Sequence, residues 1–203
     1  MATKTTADQE RPQTHGSARE RILAAANELF YEEGIHSVGI DRVIERAGVA
    51  KASLYNTFGS KDGLVRAYLM SRQASRADRI TRGIARFNTP REKLLGIYDV
   101  LAERFAEPAF RGCAFINASG EAWPGSAIDD VREYAREWVR TLFVGLARDA
   151  GATDPEALAM QLILLYDGAL VGAQLDSDPS VALAARSAAA ILIDLAVTPA
   201  AAS

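Results

Sequence analysis

Cysteine is almost absent from the chain: Cys113 is the single one among 203 residues. One thiol cannot build an internal disulfide framework, and with no CxxC pair or Cys/His cluster the spacing needed to hold zinc is missing. A reducing cytoplasm is the compartment this usage fits. Histidine is nearly as scarce, with only His15 and His36. The sequence shows no Ser/His/acid set, no metal spacing and no phosphate-cradling glycine loop, so no catalytic residue, metal ligand or cofactor is assigned. Long apolar runs are missing too. The longest, from Leu162 to Leu175, carries Asp167 and is too short to span a bilayer. The opening stretch MATKTTADQERPQTHGS lacks an apolar core and reads as neither a secretory signal nor an anchor. Asn117-Ala118-Ser119 fits the glycosylation pattern, but without a secretion route it reads as coincidence. His36, in a loop with no partner ligands nearby in sequence, reads as structural or solvated.

What the chain does have is helical periodicity and uneven charge. Hydrophobic residues make up 49% of it, enough for a globular core. The net charge of −3 conceals an asymmetry: residues 1–93 hold 16 basic against 11 acidic side chains, whereas residues 94–203 hold 7 against 15. A polyanion would be drawn to the first part and repelled by the second. An arginine-rich helix face that is simply solvated gives the same count.

The most informative stretch is IDRVIERAGVAKASLYNTFGSK, from Ile40 to Lys61. Ile40, Val43, Ile44 and Ala47 recur at the spacing of a helix buried on one face, and Gly48 supplies the left-handed residue that closes it. A second short helix, Lys51 to Phe58, buries Leu54 and Phe58 and leaves Lys51, Ala52, Ser53, Tyr55, Asn56 and Thr57 mostly outward. Two helices joined by a tight glycine turn form a helix-turn-helix, whose second helix fits the DNA major groove. An ordinary helical hairpin shares this pattern.

Residues Gly34 to Leu64 resemble the DNA-binding region of the TetR family of bacterial transcriptional regulators, through Ala47-Gly48-Val49, Leu54-Tyr55, Phe58, Ser60-Lys61-Asp62 and Leu64. The resemblance covers about the first third of the chain. It implies a three-helix reading head, a phosphate contact from the Tyr55 hydroxyl, a helical body that binds a small-molecule effector, and dimerisation through the last two helices. Three positions depart from the family pattern: Gly39 stands where Ser or Thr is usual, Ala50 where Ser is, and Thr57 where His is. The first two remove side-chain helix caps worth about 1 kcal/mol each, and the third puts one family-type phosphate contact in doubt. The DNA-facing candidates are therefore Gly39, Lys51, Ala52, Ser53, Tyr55, Asn56, Thr57 and Lys61. The start of the helix after Ser60, together with Lys61, makes a phosphate seat.

The remaining chain also reads as helices. Residues 1–16 form an expected disordered arm, whose Lys4 and Arg11 are nearly cancelled by Asp8 and Glu10. A first helix runs from Ser17 to Glu33, with Ser17 and Glu20 as a capping box. A long helix from Ser60 to about Phe87 buries Leu69, Gln73, Ala77, Ile80, Ile84 and Phe87 and carries Arg66, Arg72, Arg76, Arg79, Arg82 and Arg86 on the remainder. Pro90 opens a helix that buries Leu94, Ile97, Tyr98, Leu101 and Phe105. A short helix is expected from about Ala114 to Glu121, within an apolar segment containing Phe115, Asn117 and Trp123. Ser126 to Ala150 presents Val131, Tyr134, Ala135, Trp138, Val139, Leu142, Phe143 and Leu146 inward. The last two helices start at Asp154-Pro155 and Asp178-Pro179.

The expected architecture is all-α, about nine helices, with a helix-turn-helix head over residues 17–62 and an effector-binding, dimerising body over residues 63–203. Candidate effector contacts are Tyr98, Phe105, Phe115, Asn117, Trp123, Tyr134 and Trp138, because ligand sites are apolar with few orienting polar groups. Plain core explains the same residues. For Cys113 a buried small hydrophobe is the commoner case and a redox-sensing thiol the other. Candidate dimer contacts are Tyr166, Gly168, Gly172, Leu175, Ile191 and Leu195. The expected function is a DNA-binding regulator of repressor type, a homodimer released from a double-stranded operator by an effector. The alternatives are a helical protein-interaction adaptor and an all-α enzyme.

Overall fold

The computed structural model describes residues 16–122 and 126–197. The arm with Lys4 and Arg11, up to residue 15, and Trp123 lie outside the described residues. Among those described there are nine α-helices and no strand: α1 Ala18–Glu33, α2 Ile40–Ala47, α3 Lys51–Phe58, α4 Lys61–Ile84, α5 Pro90–Phe105, α6 Ala114–Ser119, α7 Ala127–Asp149, α8 Pro155–Asp176 and α9 Val181–Ala196. The all-helical expectation holds. Three ends differ from expectation: α9 begins at Val181, after a turn in which Asp178 accepts from the Ser180 N–H at 2.8 Å, rather than at Asp178-Pro179. α4 stops at Ile84, because Phe87 leaves the helix to lay its ring over Gly96, so closely that a Cβ there would sit 2.3 Å from it. α6 stops at Ser119, freeing Glu121 for another role described below.

The first three helices assemble from local chemistry. The Ser17 hydroxyl accepts from the Glu20 N–H at 3.2 Å while the Ser17 N–H donates to the Glu20 carboxylate at 2.8 Å, completing the box that starts α1. α2 and α3 begin at Gly39 and Ala50 with no side-chain cap, as the two departures imply. Gly48 is left-handed at φ 63°, and the Val49 N–H then returns to the Ile44 carbonyl at 3.3 Å, which sets the turn. Ile22, Ala26, Val38, Val43, Leu54 and Leu64 close the core beneath this turn, with Phe30 edge-on to Tyr68 at 5.5 Å. The burial of Tyr68 pushes its hydroxyl up to about 12.

α5, α7, α8 and α9 pack around a second core that contains Leu94, Ile97, Tyr98, Val139, Phe143, Leu162 and Ile193. The buried Tyr98 hydroxyl donates to the Leu162 carbonyl at 2.7 Å, and its desolvation raises its pKa well above the ordinary phenol range. At the rim, Arg91 grips Asp194 with two bonds of 2.7 and 2.8 Å, and Arg136 meets Asp167 at 2.6 Å. α8 is long and apolar enough, by length and composition, to cross a membrane. One side of it is buried against α7 and α9; the other carries Met160, Leu164, Val171 and Leu175 exposed.

Two helices, α4 and α7, serve both cores. Leu64, Val65, Tyr68 and Leu69 of α4 lie in the first core, Ile80 and Ile84 in the second. The traffic also runs the other way, because Phe115 and Ala118 of α6 and Ile128, Val131 and Ala135 of α7 pack into the first core. The corner between α3 and α4 depends on Gly63: a Cβ there would fall 2.0 Å from the Phe58 carbonyl oxygen. Gly63→Ala should therefore lose about 1–3 kcal/mol in urea unfolding, despite the roughly 1 kcal/mol that alanine gains over glycine inside a helix. An unchanged or higher midpoint would mean that the corner relaxes freely.

Candidate nucleic-acid interface and pocket

α3 presents a short polar face. Lys51, Ala52, Tyr55, Asn56 and Thr57 are exposed and Ser53 is half-buried, while Leu54 anchors the helix from below. Lys51 is tied back to Asp41 of α2 at 2.8 Å, and that carboxylate holds its ammonium above the ordinary lysine range. An exposed pair of this kind is weak and yields readily to a phosphate. The Thr57 hydroxyl donates to the Ser53 carbonyl at 2.6 Å, leaving its lone pairs outward. Ser60 caps α4 through the Gly63 N–H at 3.0 Å, and half-buried Lys61 is the first residue of that helix. Gly39 sits one residue before α2 with open space around its Cα.

Much of the positive charge of the N-terminal part points elsewhere. Arg42 and Arg46 of α2 pair with Glu33 and Glu28 of α1. Arg66, Arg79 and Arg86 of α4 pair with Asp130, Glu107 and Glu103. The charge asymmetry thus largely holds helices together, and the cations left on the α3 side are few.

Besides the bonds of Asn27 to Ser71 and Arg72 of α4, two groups of contacts join the first three helices to the body. Glu121, after α6, accepts from the Ile35 N–H at 3.1 Å and the His36 N–H at 2.5 Å, and its carbonyl lies 3.0 Å from His36 Nε2. His36 thus has the structural role expected for it. Tyr31 of α1 makes the second joint: its hydroxyl donates to the Gly112 carbonyl at 2.9 Å and accepts from the Arg111 N–H at 2.8 Å and from Arg104 at 3.1 Å.

That tyrosine also walls a pocket. A cleft lies between α1, α4, α5, α6 and α8; its space is about 670 Å³ when the open solvent at its mouth is counted. Arg72, Arg76 and Arg79 enter it from α4 and Arg104 from α5; Ile80, Leu101, Phe110, Phe115 and Leu170 form its apolar side. Arg72 stacks on the Tyr31 ring at 4.0 Å and Arg76 on Phe115 at 4.9 Å. Tyr166, fully enclosed, is pushed up to about 12 by desolvation, which outweighs the nearby Arg76.

Of the expected ligand contacts that lie among the described residues, Phe115 alone lines this cavity. Tyr98 is core. Phe105 packs on Phe110 at 4.9 Å behind the wall. Asn117 donates to the Arg111 carbonyl at 3.0 Å and accepts from Gln174 at 3.0 Å, bracing a loop. Tyr134 is 53% exposed, because Ala135 takes the inward position beside it. Trp138 is half-buried against the second core. Tyr166, expected between subunits, is 2% exposed inside its own protomer and belongs to the cavity. Gly172 faces α9 of the same chain, and a Cβ there would lie 3.5 Å from Val181. Gly168, Leu175, Ile191 and Leu195 remain on the outside. The arginines were missed. Their spacing, 72, 76 and 79, puts them on one stripe of α4, a signal read as solvent-facing. Among the described residues no cluster of His, Cys, Asp and Glu could hold a metal ion.

A solved TetR-family transcriptional regulator from Streptomyces coelicolor superposes on this chain with a TM-score of 0.82 and 30% identity, over 89% of this chain and 96% of its own. The chain belongs to the TetR family. The family profile described as "Bacterial regulatory proteins, tetR family" matches residues 22–68, which hold α2, α3 and most of α1. The HTH-type transcriptional regulator UidR of Escherichia coli is 35% identical over 74 residues, 36% of this chain and 34% of UidR, so this match spans only about a third of that relative. The HTH-type transcriptional regulator BetI of Rhizobium meliloti is 26% identical over 170 residues, 79% of this chain and 80% of BetI. This TetR-family chain is thus a helix-turn-helix, DNA-binding transcriptional regulator with the family's all-helical fold.

The joint at Tyr31 is open to direct measurement. Tyr31→Phe keeps the ring that stacks on Arg72 and removes a hydroxyl with three partners, so unfolding free energy should fall by about 1–3 kcal/mol. A change within error would mean that the hydroxyl does not hold α1 to the body.

Proposed function

We propose that the protein is a repressor that binds an operator as a homodimer, in the cytoplasm, and leaves it when a small-molecule effector fills the pocket behind α1. The observation that carries this reading is the position of Tyr31, a residue of α1 that forms part of the pocket wall. A ligand that displaces or pulls on Tyr31 acts on the helix against which α2 and α3 pack, with no relay needed. Coupling of about 1–3 kcal/mol, typical of such linkage, would change operator affinity roughly 5- to 150-fold. On this reading the functional boundary falls near residue 62, and no catalytic step is assigned to the body.

The homodimer proposal rests on the outer face of α8 and α9. Leu164, Leu175, Ile191 and Leu195 are 67%, 76%, 64% and 74% exposed, an apolar surface that two copies would cover as a four-helix interface. Gly168 leaves room there for close helix approach. Two copies of α3 would then meet half-sites about 34–36 Å apart or a multiple of that. Lys51, Ser53 and Asn56 would read base edges, Ala52 would let the backbone come close, and Tyr55, Thr57, Lys61 and the Gly39 end of α2 would meet phosphate.

Two experiments test this. In gel shifts with the DNA upstream of its own gene, Tyr55→Phe and Lys61→Ala should weaken all sequences about equally, and Lys61→Ala should lower the salt slope by about one. Ser53→Ala and Asn56→Ala should change the preference between sequences, and an unchanged preference would remove them from base reading. Ile191→Asp with Leu195→Asp should give a folded monomer by sedimentation that no longer shifts the fragment. A dimer that persists would move the interface elsewhere.

A further inference from the structure

The pocket that this reading makes the effector site has an unusual charge balance. Among the described residues four arginines reach it and no carboxylate lines it. Glu107, just behind the wall, serves Arg79 and Arg104 together. Arg72 and Arg76 form no ion pair among the described residues. Arg72 donates to the Asn27 carbonyl at 2.8 Å, and Arg76 to Gln73 and to the Ala135 carbonyl at 2.9 Å. The Nε of each is buried with no hydrogen-bond partner among the described residues. Neutral groups, namely carbonyls, the Gln73 amide, the Tyr68 and Tyr166 hydroxyls and ring faces, thus compensate two partly buried cations, although buried charge is ordinarily paired. Three of the four, Arg72, Arg76 and Arg79, come from the arginine-rich α4, and Arg104 joins them from α5.

We propose that the effector is an organic anion with one acidic head and an apolar body. The head lies between Arg72 and Arg76, which are one helical turn apart on α4 and close enough to clamp a single carboxylate or phosphate. The body of the ligand lies on Ile80, Leu101, Phe115 and Leu170. Because Arg72 also stacks on Tyr31, an anion that draws its guanidinium inward moves the α1 contact, which links the head group to operator release. The inference rests on the pocket being the effector site only for that last step; anion binding can be measured without DNA.

The test uses the full chain and matched probes: 2-naphthoate, 1-naphthyl phosphate and decanoate, against the neutral 2-naphthamide and decanamide, by isothermal titration. At least one anion should bind roughly tenfold or more tightly than its amide. The preferred head group distinguishes a carboxylate from a phosphate ligand. Arg72→Gln and Arg76→Gln should each abolish the preference, with circular dichroism confirming folding, while Arg140→Gln, an exposed arginine of α7, should keep it. Amides that bind as well as acids, an anion preference that survives both pocket variants, or no binding by any anion at millimolar concentration would overturn the inference. The same probes added to the gel shift separate the two readings: an anion that binds through Arg76 without weakening the DNA complex supports the anion site and contradicts effector-driven release.

Discussion

The constraint on which the molecule depends is that its two cores share α4 and interlock through α6. Leu64 to Leu69 and Ile80 to Ile84 belong to different cores on one continuous helix, while Phe115 returns from the body to close the first. Neither core can be repacked alone, because protein interiors are dense and respond to displacement by shifting whole elements. A site at the seam therefore touches both cores. The pocket lies there, with walls from α1, α4, α5, α6 and α8, and so the element that carries α3 is never far from whatever occupies it.

The same seam explains how the charge is used. Taken over the whole chain, the basic N-terminal part and the acidic remainder suggest simple steering toward a polyanion. In the fold, Arg66, Arg79 and Arg86 meet Asp130, Glu107 and Glu103 across helix contacts, so opposite charges in the two parts align α4 with the body. Such pairs are individually weak when exposed, and they orient more than they stabilise. Outside those pairs the charge is local: Lys51 at the start of α3, tied to Asp41, Lys61 at the start of α4, and Arg72 and Arg76 in the pocket.

The helices were legible because each is marked by local chemistry. Ser17 with Glu20, Gly48, Ser60, Pro90 and Asp154-Pro155 fix starts and stops within a turn, and the outward set of α3 follows from Leu54 and Phe58 facing inward. Helix ends set by distant residues were not legible: nothing before Phe87 says that its ring will leave α4 for Gly96. The pocket was the least readable part, since aromatic content pointed to Tyr98, Tyr134 and Trp138, whereas a cavity forms where helices diverge. That depends on crossing angles, which no single segment encodes. Arginines at 72, 76 and 79 look alike on a helix wheel whether they face water or a cavity. Tyr166 shows the converse: on a helix apolar all round, periodicity cannot tell the face turned to the core from the face turned to a partner.

The central claim is that two copies of α3 are held at a defined spacing that occupancy of the seam alters. Spin labels on Thr57→Cys, with Cys113→Ser removing the natural thiol, would report that spacing by pulsed electron resonance. The account predicts a single narrow distance in the range of about 30–40 Å, set by adjacent half-sites, that shifts or broadens when the pocket is filled. A protein with no label-to-label distance, or one whose distribution stays the same with the pocket full and empty, would contradict it.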